Sequence, residues 1–281
     1  MIRYKLDSND LQEIQKNHSA WFAKATKHTK EVVSLGSFGD APGIWSEIKP
    51  ALLGLQHHKC AYCERKFSEW PIEWDVEHFR PKNGVEAWSN PEFQFPLGDA
   101  FPEGYYALAY QFGNYLLSCK PCNSTLKHSF FPIAGHRGPI PGNHLEEVAS
   151  YTEEKPYLVY PIGESDTDPE ELITFIGVIP RIVDGDPDSH TYKRAEVTIA
   201  LFQLDKREEL LQERAAKIVR LYQALLHSNE KDAQQIIDNE QKVGSPHTNC
   251  GRAFVRLYQE NPGLAREIYK YAWEYYDGYC K

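Results

Sequence analysis

Cys60-Ala-Tyr-Cys63, Asp75-Val-Glu77-His78-Phe-Arg80-Pro-Lys82 and Cys119-Lys-Pro-Cys122-Asn123-Ser-Thr-Leu-Lys127 follow one another in a chain of 281 residues. Two CxxC pairs offer four thiolates, the ligand set of a closed tetrahedral zinc site. The chain from 64 to 118 is longer than an ordinary zinc-finger loop, so it is expected to hold a feature of its own. Zinc would close the base of this segment, and chemistry would sit inside it. A zinc with four thiolate ligands has no open position, so its expected role is to hold the fold.

Composition sets the frame. The chain can bury a sizeable core, and 41% hydrophobic with 25% charged residues is the balance of a soluble globular protein. It contains no apolar run of about 18 residues, the length a membrane span requires. The segment from Met1 to Asp7 lacks the apolar stretch of a secretory signal. These features lead to the expectation of a cytoplasmic protein, where thiols stay reduced and paired CxxC motifs favour metal over disulfide. The remaining cysteines, Cys250 and Cys280, stand alone and read as free thiols. The formal net charge is −9, whereas a protein that grips nucleic acid by bulk electrostatics is usually basic. Any nucleic-acid role must rest on a local cluster or on a partner that supplies the grip.

Along the chain, residues 8–34 read as helix, with Asp7 or Ser8 as cap and Leu11, Ile14, Trp21 and Phe22 as apolar anchors. A Gly/Pro-rich loop at 36–43 leads to a second helix over 44–55, which Pro50 should kink or divide. Residues 60–82 read as a zinc knuckle followed by short strands, and 83–104, rich in proline and aromatics, as irregular loop. Residues 105–112 resume as strand or short helix, 114–118 lead to the second knuckle, and 123–128 open a short helix. After a loop at 135–142, residues 157–161 and 173–183 look like strands joined by an acidic loop at 164–171. From Ala195 the chain reads as helical, with a capping-box-like start at Asp205 and Glu208. Helix resumes over 252–279, broken near Asn261-Pro-Gly263. The fold class expected is α+β, predominantly helical. Its parts are an N-terminal helical region (1–57), a core (58–133), and a mixed then helical C-terminal region (134–281) suited to docking a partner.

Glu77 offers a hard carboxylate oxygen and Asn123 a neutral amide oxygen, both suited to Mg²⁺ or Mn²⁺ with waters retained. On a strand His78 would point away from Glu77, placed to take a proton from an attacking water. A single divalent ion would then stabilise charge on a scissile phosphate. Arg80 and Lys82 are candidates for phosphate contacts, the alternative being plain surface charge; Lys127 is open between phosphate contact and a solvated helix lysine. Trp70, Trp74, Trp88, Phe93, Phe95 and Phe101 read as packing a loop onto the core rather than stacking on bases. His57 and His58 read as helix-end residues, and His136 and His144 as surface histidines.

The same segment resembles the ββα-metal motif of HNH endonucleases, with an acid–His pair on the first strand, an Asn in the turn and an Asn on the helix. The resemblance implies a zinc-stapled ββα-metal core in which His78 is the general base and Glu77 and Asn123 hold the catalytic ion. Asn114 would fix the loop that orients His78, with Asp75 behind the metal ligands and Cys60, Cys63, Cys119 and Cys122 on the structural zinc. Where some HNH enzymes carry a further histidine one turn after Asn123, this chain has Lys127. His128 lies about 100° further round and cannot substitute. Cys-Ala-Tyr-Cys-Glu, Glu-His-Phe-Arg-Pro-Lys, Leu-Ala-Tyr-Gln-Phe-Gly-Asn, Cys-x-x-Cys-Asn-x-x-x-Lys and Phe-Phe-Pro together resemble the HNH subunit of Septu-type anti-phage systems, also found with some retrons. That resemblance implies an antiviral effector endonuclease, a phosphodiester hydrolase that works beside an ABC/SMC-like ATPase. DNA is the favoured substrate; an RNA- or tRNA-cleaving nuclease and a non-catalytic zinc-stapled adaptor are the alternatives.

Overall fold

A computed structural model describes residues 1–67, 73–138 and 147–279; Trp70, His144, Cys280 and the end of the 135–142 loop lie outside the described residues. The chain is α+β and about half helical, with two small two-stranded sheets. Helix α1 (Ser8–Asn17) starts where expected. The Asp7 carboxylate accepts from the backbone N–H of Asn9 and Asp10, and Asp10 returns the bond to the N–H of Asp7. Helix α2 (Ser19–Leu35) buries Trp21, Ala25, Thr29 and Val32, spaced to fall on one face, and ends at Gly36 with φ +68°. Pro50 divides the next helix as expected. A 3₁₀ turn (Trp45–Ile48) passes into α3 (Lys49–Leu55), with the proline in the first turn where its missing N–H costs nothing.

Strands β1 (Trp74–His78) and β2 (Tyr115–Cys119) pair antiparallel, with Trp74 opposite Cys119 and His78 opposite Tyr115. A wide helical turn (Pro121–Lys127) follows β2 and starts two residues earlier than the sequence suggested. β2 is buried at every position, and its other edge is covered. The Gln56 amide closes on both backbone groups of Leu117, accepting from its N–H at 2.6 Å and donating to its carbonyl at 2.9 Å. Residues 83–104 form no regular element apart from isolated bridges. Phe93, Phe95 and Phe101 are partly buried against the core, and Phe93 and Phe95 stack at 5.2 Å, as the packing reading expected.

The C-terminal half departs from expectation at three places. Residues 157–161 are irregular rather than strand, because the neighbouring bridges at Pro156 and Ile162 use single residues. Pro169–Leu172 (α4) leads into the hairpin β3 (Ile173–Ile176) and β4 (Ile179–Ile182), where strand was expected over 173–183. Helix α5 (His190–Leu201) begins earlier than Ala195, because the Ser189 hydroxyl caps the Tyr192 N–H. Helix α6 (Glu208–Leu226) follows Arg207 as cap residue, and Asp205 makes no capping bond. Helices α7 (Lys231–Gln241), α8 (Thr248–Glu260) and α9 (Pro262–Tyr279) complete the chain, with the break at Asn261 as expected.

The first knuckle is tied to these C-terminal helices. Buried Lys59 donates to the Ser245 carbonyl at 2.8 Å and to the Thr248 hydroxyl at 3.0 Å, and Glu64 pairs with the Met1 amine at 2.9 Å. Glu213 on α6 bridges Arg65 and His247, both at 2.7 Å. The buried side chains form one contiguous core, from Met1 to Ala272, that draws on all three sequence regions. No described helix is long and apolar enough to cross a membrane.

Gly104 stands at a close crossing beside Lys82. It has φ +61°, and a Cβ there would lie 1.8 Å from the Asn83 carbonyl oxygen. Gly104→Ala should therefore lower stability by about 3 kcal/mol, measured by urea denaturation. A change below about 0.5 kcal/mol would refute this close-packing account.

Candidate functional site and cysteine cluster

The sulfurs of Cys60, Cys63, Cys119 and Cys122 are buried and all lie within 4.8 Å of one another. Four sulfurs at about 2.3 Å from a central zinc stand about 3.8 Å apart. The 3.7 Å between Cys63 and Cys119 matches that spacing, so the four cysteines can hold a zinc ion. The Cys119 N–H points to the Cys60 sulfur at 3.3 Å, and Arg207 donates to the Cys122 sulfur at 3.1 Å. Both contacts favour a cluster that is negative when its ligands are thiolates. Tyr62, inside the first knuckle, stacks on Phe202 at 4.0 Å, so the loop between the cysteines is itself packed.

This cluster holds one end of the β1–β2 ribbon, since Cys119 lies opposite Trp74. At the other end the Asn114 side chain closes on Arg80, accepting from its N–H at 2.9 Å and donating to its carbonyl at 3.0 Å. The same amide donates to the Leu108 carbonyl at 3.2 Å, next to Ala109. His78 donates its Nε2–H to the Ala109 carbonyl at 3.0 Å, a bond that leaves Nδ1 as the basic nitrogen. Tyr115 places its hydroxyl on that carbonyl at 2.5 Å and its ring edge-on to His78 at 4.9 Å. Burial pushes the His78 pKa down to about 3, and the nearby Lys82 and Lys127 charges add to the fall. The imidazole is therefore neutral at physiological pH.

Charged neighbours divide into paired and unpaired. Lys127 is fully buried, with its ammonium on Glu77 Oε1 and a 3.2 Å bond to the His78 carbonyl. It is not a solvated helix lysine; the wide turn directs it inward onto β1. Burial raises the Glu77 pKa, and the Lys127 charge opposes that rise. Arg80 also faces inward. It bonds the buried Glu154 at 2.8 Å and lies over Phe131 at 5.1 Å, so its guanidinium is committed inside the protein rather than offered to a phosphate. Asp75 is exposed and pairs with Lys49 at 2.8 Å, away from a supporting role behind Glu77. Lys82 has no carboxylate partner among the described residues; its ammonium lies 4.7 Å from the Trp45 ring and 5.3 Å from Phe38. Burial lowers the Lys82 pKa, with Glu77 opposing and Lys127 assisting. Asn123 is half-buried on the turn after Cys122, and its side-chain amide makes no hydrogen bond among the described residues.

Trp45 is a further residue of this site that the sequence did not point to. Its ring meets His78 edge-on at 5.0 Å and also underlies Lys82. A contact across 33 positions leaves no local pattern, and an isolated Trp in an amphipathic helix reads as core.

Across most of its length the chain is similar to a Septu protein. It is 28% identical over 268 residues to the Septu protein PtuB of Bacillus mycoides (strain KBAB4), covering 94% of this chain and 73% of that protein. With the Septu protein PtuB of Bacillus thuringiensis it shares 30% identity over 125 residues, 43% of this chain and 39% of that one. No family model and no solved structure matches the chain. The relationship supports membership of a Septu-type system.

Two outcomes test the site as built. Metal analysis of the purified protein should find about one zinc per chain. Cys60→Ser and Cys119→Ser should lose it together with several kcal/mol of stability, on the order of 5, while Cys250→Ser keeps it. For His78, the folded pKa lies below the ordinary value near 6.5, so the unfolded chain takes up a proton first as pH falls. The stability this neutral imidazole contributes is whole above about pH 6.5 and declines toward pH 3. Urea titrations at pH 7.5 and 5 should show a smaller acid loss in His78→Gln than in wild type; equal losses would show that His78 does not carry the effect.

Proposed function

We propose that this chain is the nuclease subunit of an anti-phage defence complex and hydrolyses phosphodiester bonds in an HNH-type ββα-metal site, DNA being the favoured substrate. The observation that carries the reading is His78. It is a neutral imidazole whose tautomer is fixed by the Ala109 carbonyl, on a strand whose neighbouring side chain is a buried carboxylate. With Nε2–H committed to that carbonyl, Nδ1 is the ring atom left to accept a proton.

In this mechanism His78 Nδ1 accepts a proton from water as the water oxygen bonds to phosphorus. The bond from phosphorus to the 3′-oxygen breaks, and a proton reaches the leaving oxygen from solvent. Lys82, not neutralised by a carboxylate, faces the charge that develops on the phosphoryl oxygens. Glu77 and Asn123 would hold a Mg²⁺ or Mn²⁺ ion by hard oxygen donors, and that ion would stabilise the leaving oxygen. Their chemistry suits such an ion, although Glu77 is already paired with Lys127. Asn114 keeps the turn after β1, and with it His78, in place. The zinc site would act only as a staple.

The net charge of −9 supports a partner that presents the nucleic acid, and an ABC/SMC-like ATPase subunit is the partner proposed. The rival reading, a non-catalytic zinc-stapled adaptor, draws on the internal pairing of Glu77 and Arg80.

Plasmid DNA and total tRNA are the substrates for the deciding assay, with Mg²⁺ or Mn²⁺ and with or without an ABC/SMC-like ATPase as the proposed partner. Cleavage should stop with EDTA and fall about 100-fold or more in His78→Ala and His78→Gln. The substrate that disappears separates DNA from RNA. Cleavage indifferent to both variants, or none with partner and nucleotide present, would leave the adaptor reading standing.

A further inference from the structure

The ion pair between Lys127 and Glu77 bears on how this site takes a metal. Lys127 is fully enclosed and the Glu77 side chain is 6% exposed, so water does little to screen either charge. The ammonium has two anchors on β1, the Glu77 carboxylate and the His78 carbonyl at 3.2 Å. It leaves from the same helical turn that carries Asn123, the other proposed metal donor. A second cation, Lys82, is close enough to act on Glu77 as well. A divalent ion approaching this carboxylate meets like charge where it would need to bind. Displacing the ammonium without giving it another anion would leave a buried, unpaired charge.

A phosphate would remove that obstacle. It supplies the ammonium with a new anionic partner, and the released carboxylate can then face a divalent ion. We propose that Lys127 is a tethered counter-cation that keeps Glu77 closed to divalent ions until a nucleic-acid phosphate draws the ammonium away. This rests on the reading above that Glu77 is a metal donor. It makes metal loading follow substrate, so that the free protein stays inactive without an inhibitor.

The test is Mn²⁺ binding to the zinc-loaded full chain at pH 8, followed by electron paramagnetic resonance of free Mn²⁺ and without any cleavage assay. Wild type, Lys127→Met, Lys127→Gln and the double variant Glu77→Gln/Lys127→Met are compared, with thermal melts confirming that each is folded. Removing the ammonium should tighten Mn²⁺ binding by about tenfold, the lower end of what one close charge does to a carboxylate. The double variant should lose that gain. Wild type binding Mn²⁺ through Glu77 as tightly as either neutral variant would overturn the counter-cation and leave the metal reading intact. No binding that depends on Glu77 in any of the proteins would overturn both. Two neutral replacements of different polarity keep the result readable if one of them fails to fold.

Discussion

Four sulfurs within 4.8 Å of one another set residues 60–63 against residues 119–122, and the rest of the site is built on that juncture. The β1–β2 ribbon has only five residues in each strand, too little to persist alone in water. Closing the long connection between its strands costs conformational entropy that five backbone pairings do not recover. The sulfur cluster holds the ribbon at Cys119, the Asn114 amide holds it at Arg80, and Gln56 covers the open edge of β2. Each fastening satisfies backbone groups that would otherwise be buried without partners. His78 and Glu77 inherit their positions from this frame.

Charge inside the frame is arranged against the overall balance of the chain. The protein is acidic, yet Lys82, Lys127 and Arg80 gather around one acid–histidine pair. Two of the three cations are neutralised internally, Arg80 by Glu154 and Lys127 by Glu77. Low local dielectric makes such pairs strict: leaving either partner alone costs several kcal/mol, on the order of 3 to 5. Lys82 is different because an aromatic face, rather than a carboxylate, supports it.

The N-terminal region is part of the site rather than an appendage to it. Trp45 reaches His78 and Lys82 from the 3₁₀ turn before α3, and α2 anchors that turn through the bond from Trp21 Nε1 to the Ile44 carbonyl at 2.9 Å. From the other side, the knuckle is fastened to α6 and α8 through Glu213 and Lys59, and Glu64 ties it to the Met1 amine. One core spans all these contributions, so stability and site geometry are coupled across the chain.

Local chemistry was legible in the sequence. The spacing of the cysteines announced a cluster, Asp7 announced a helix start, and Pro50 and Asn261 announced breaks, because each acts within a few residues of itself. Neighbours on a strand must alternate, so the opposite directions of Glu77 and His78 could also be read. Partners could not. Glu77 meets Lys127 from 50 positions away and Arg80 meets Glu154 from 74, distances at which sequence carries no pairing rule. Long cationic side chains reach many acceptors, and only the packed interior decides which carboxylate is buried with which cation. Residue types and their spacing followed from the sequence alone; the direction of Lys127 and Arg80, and the reach of Trp45, were decided by the tertiary structure, where desolvation makes the choice of partner energetically strict.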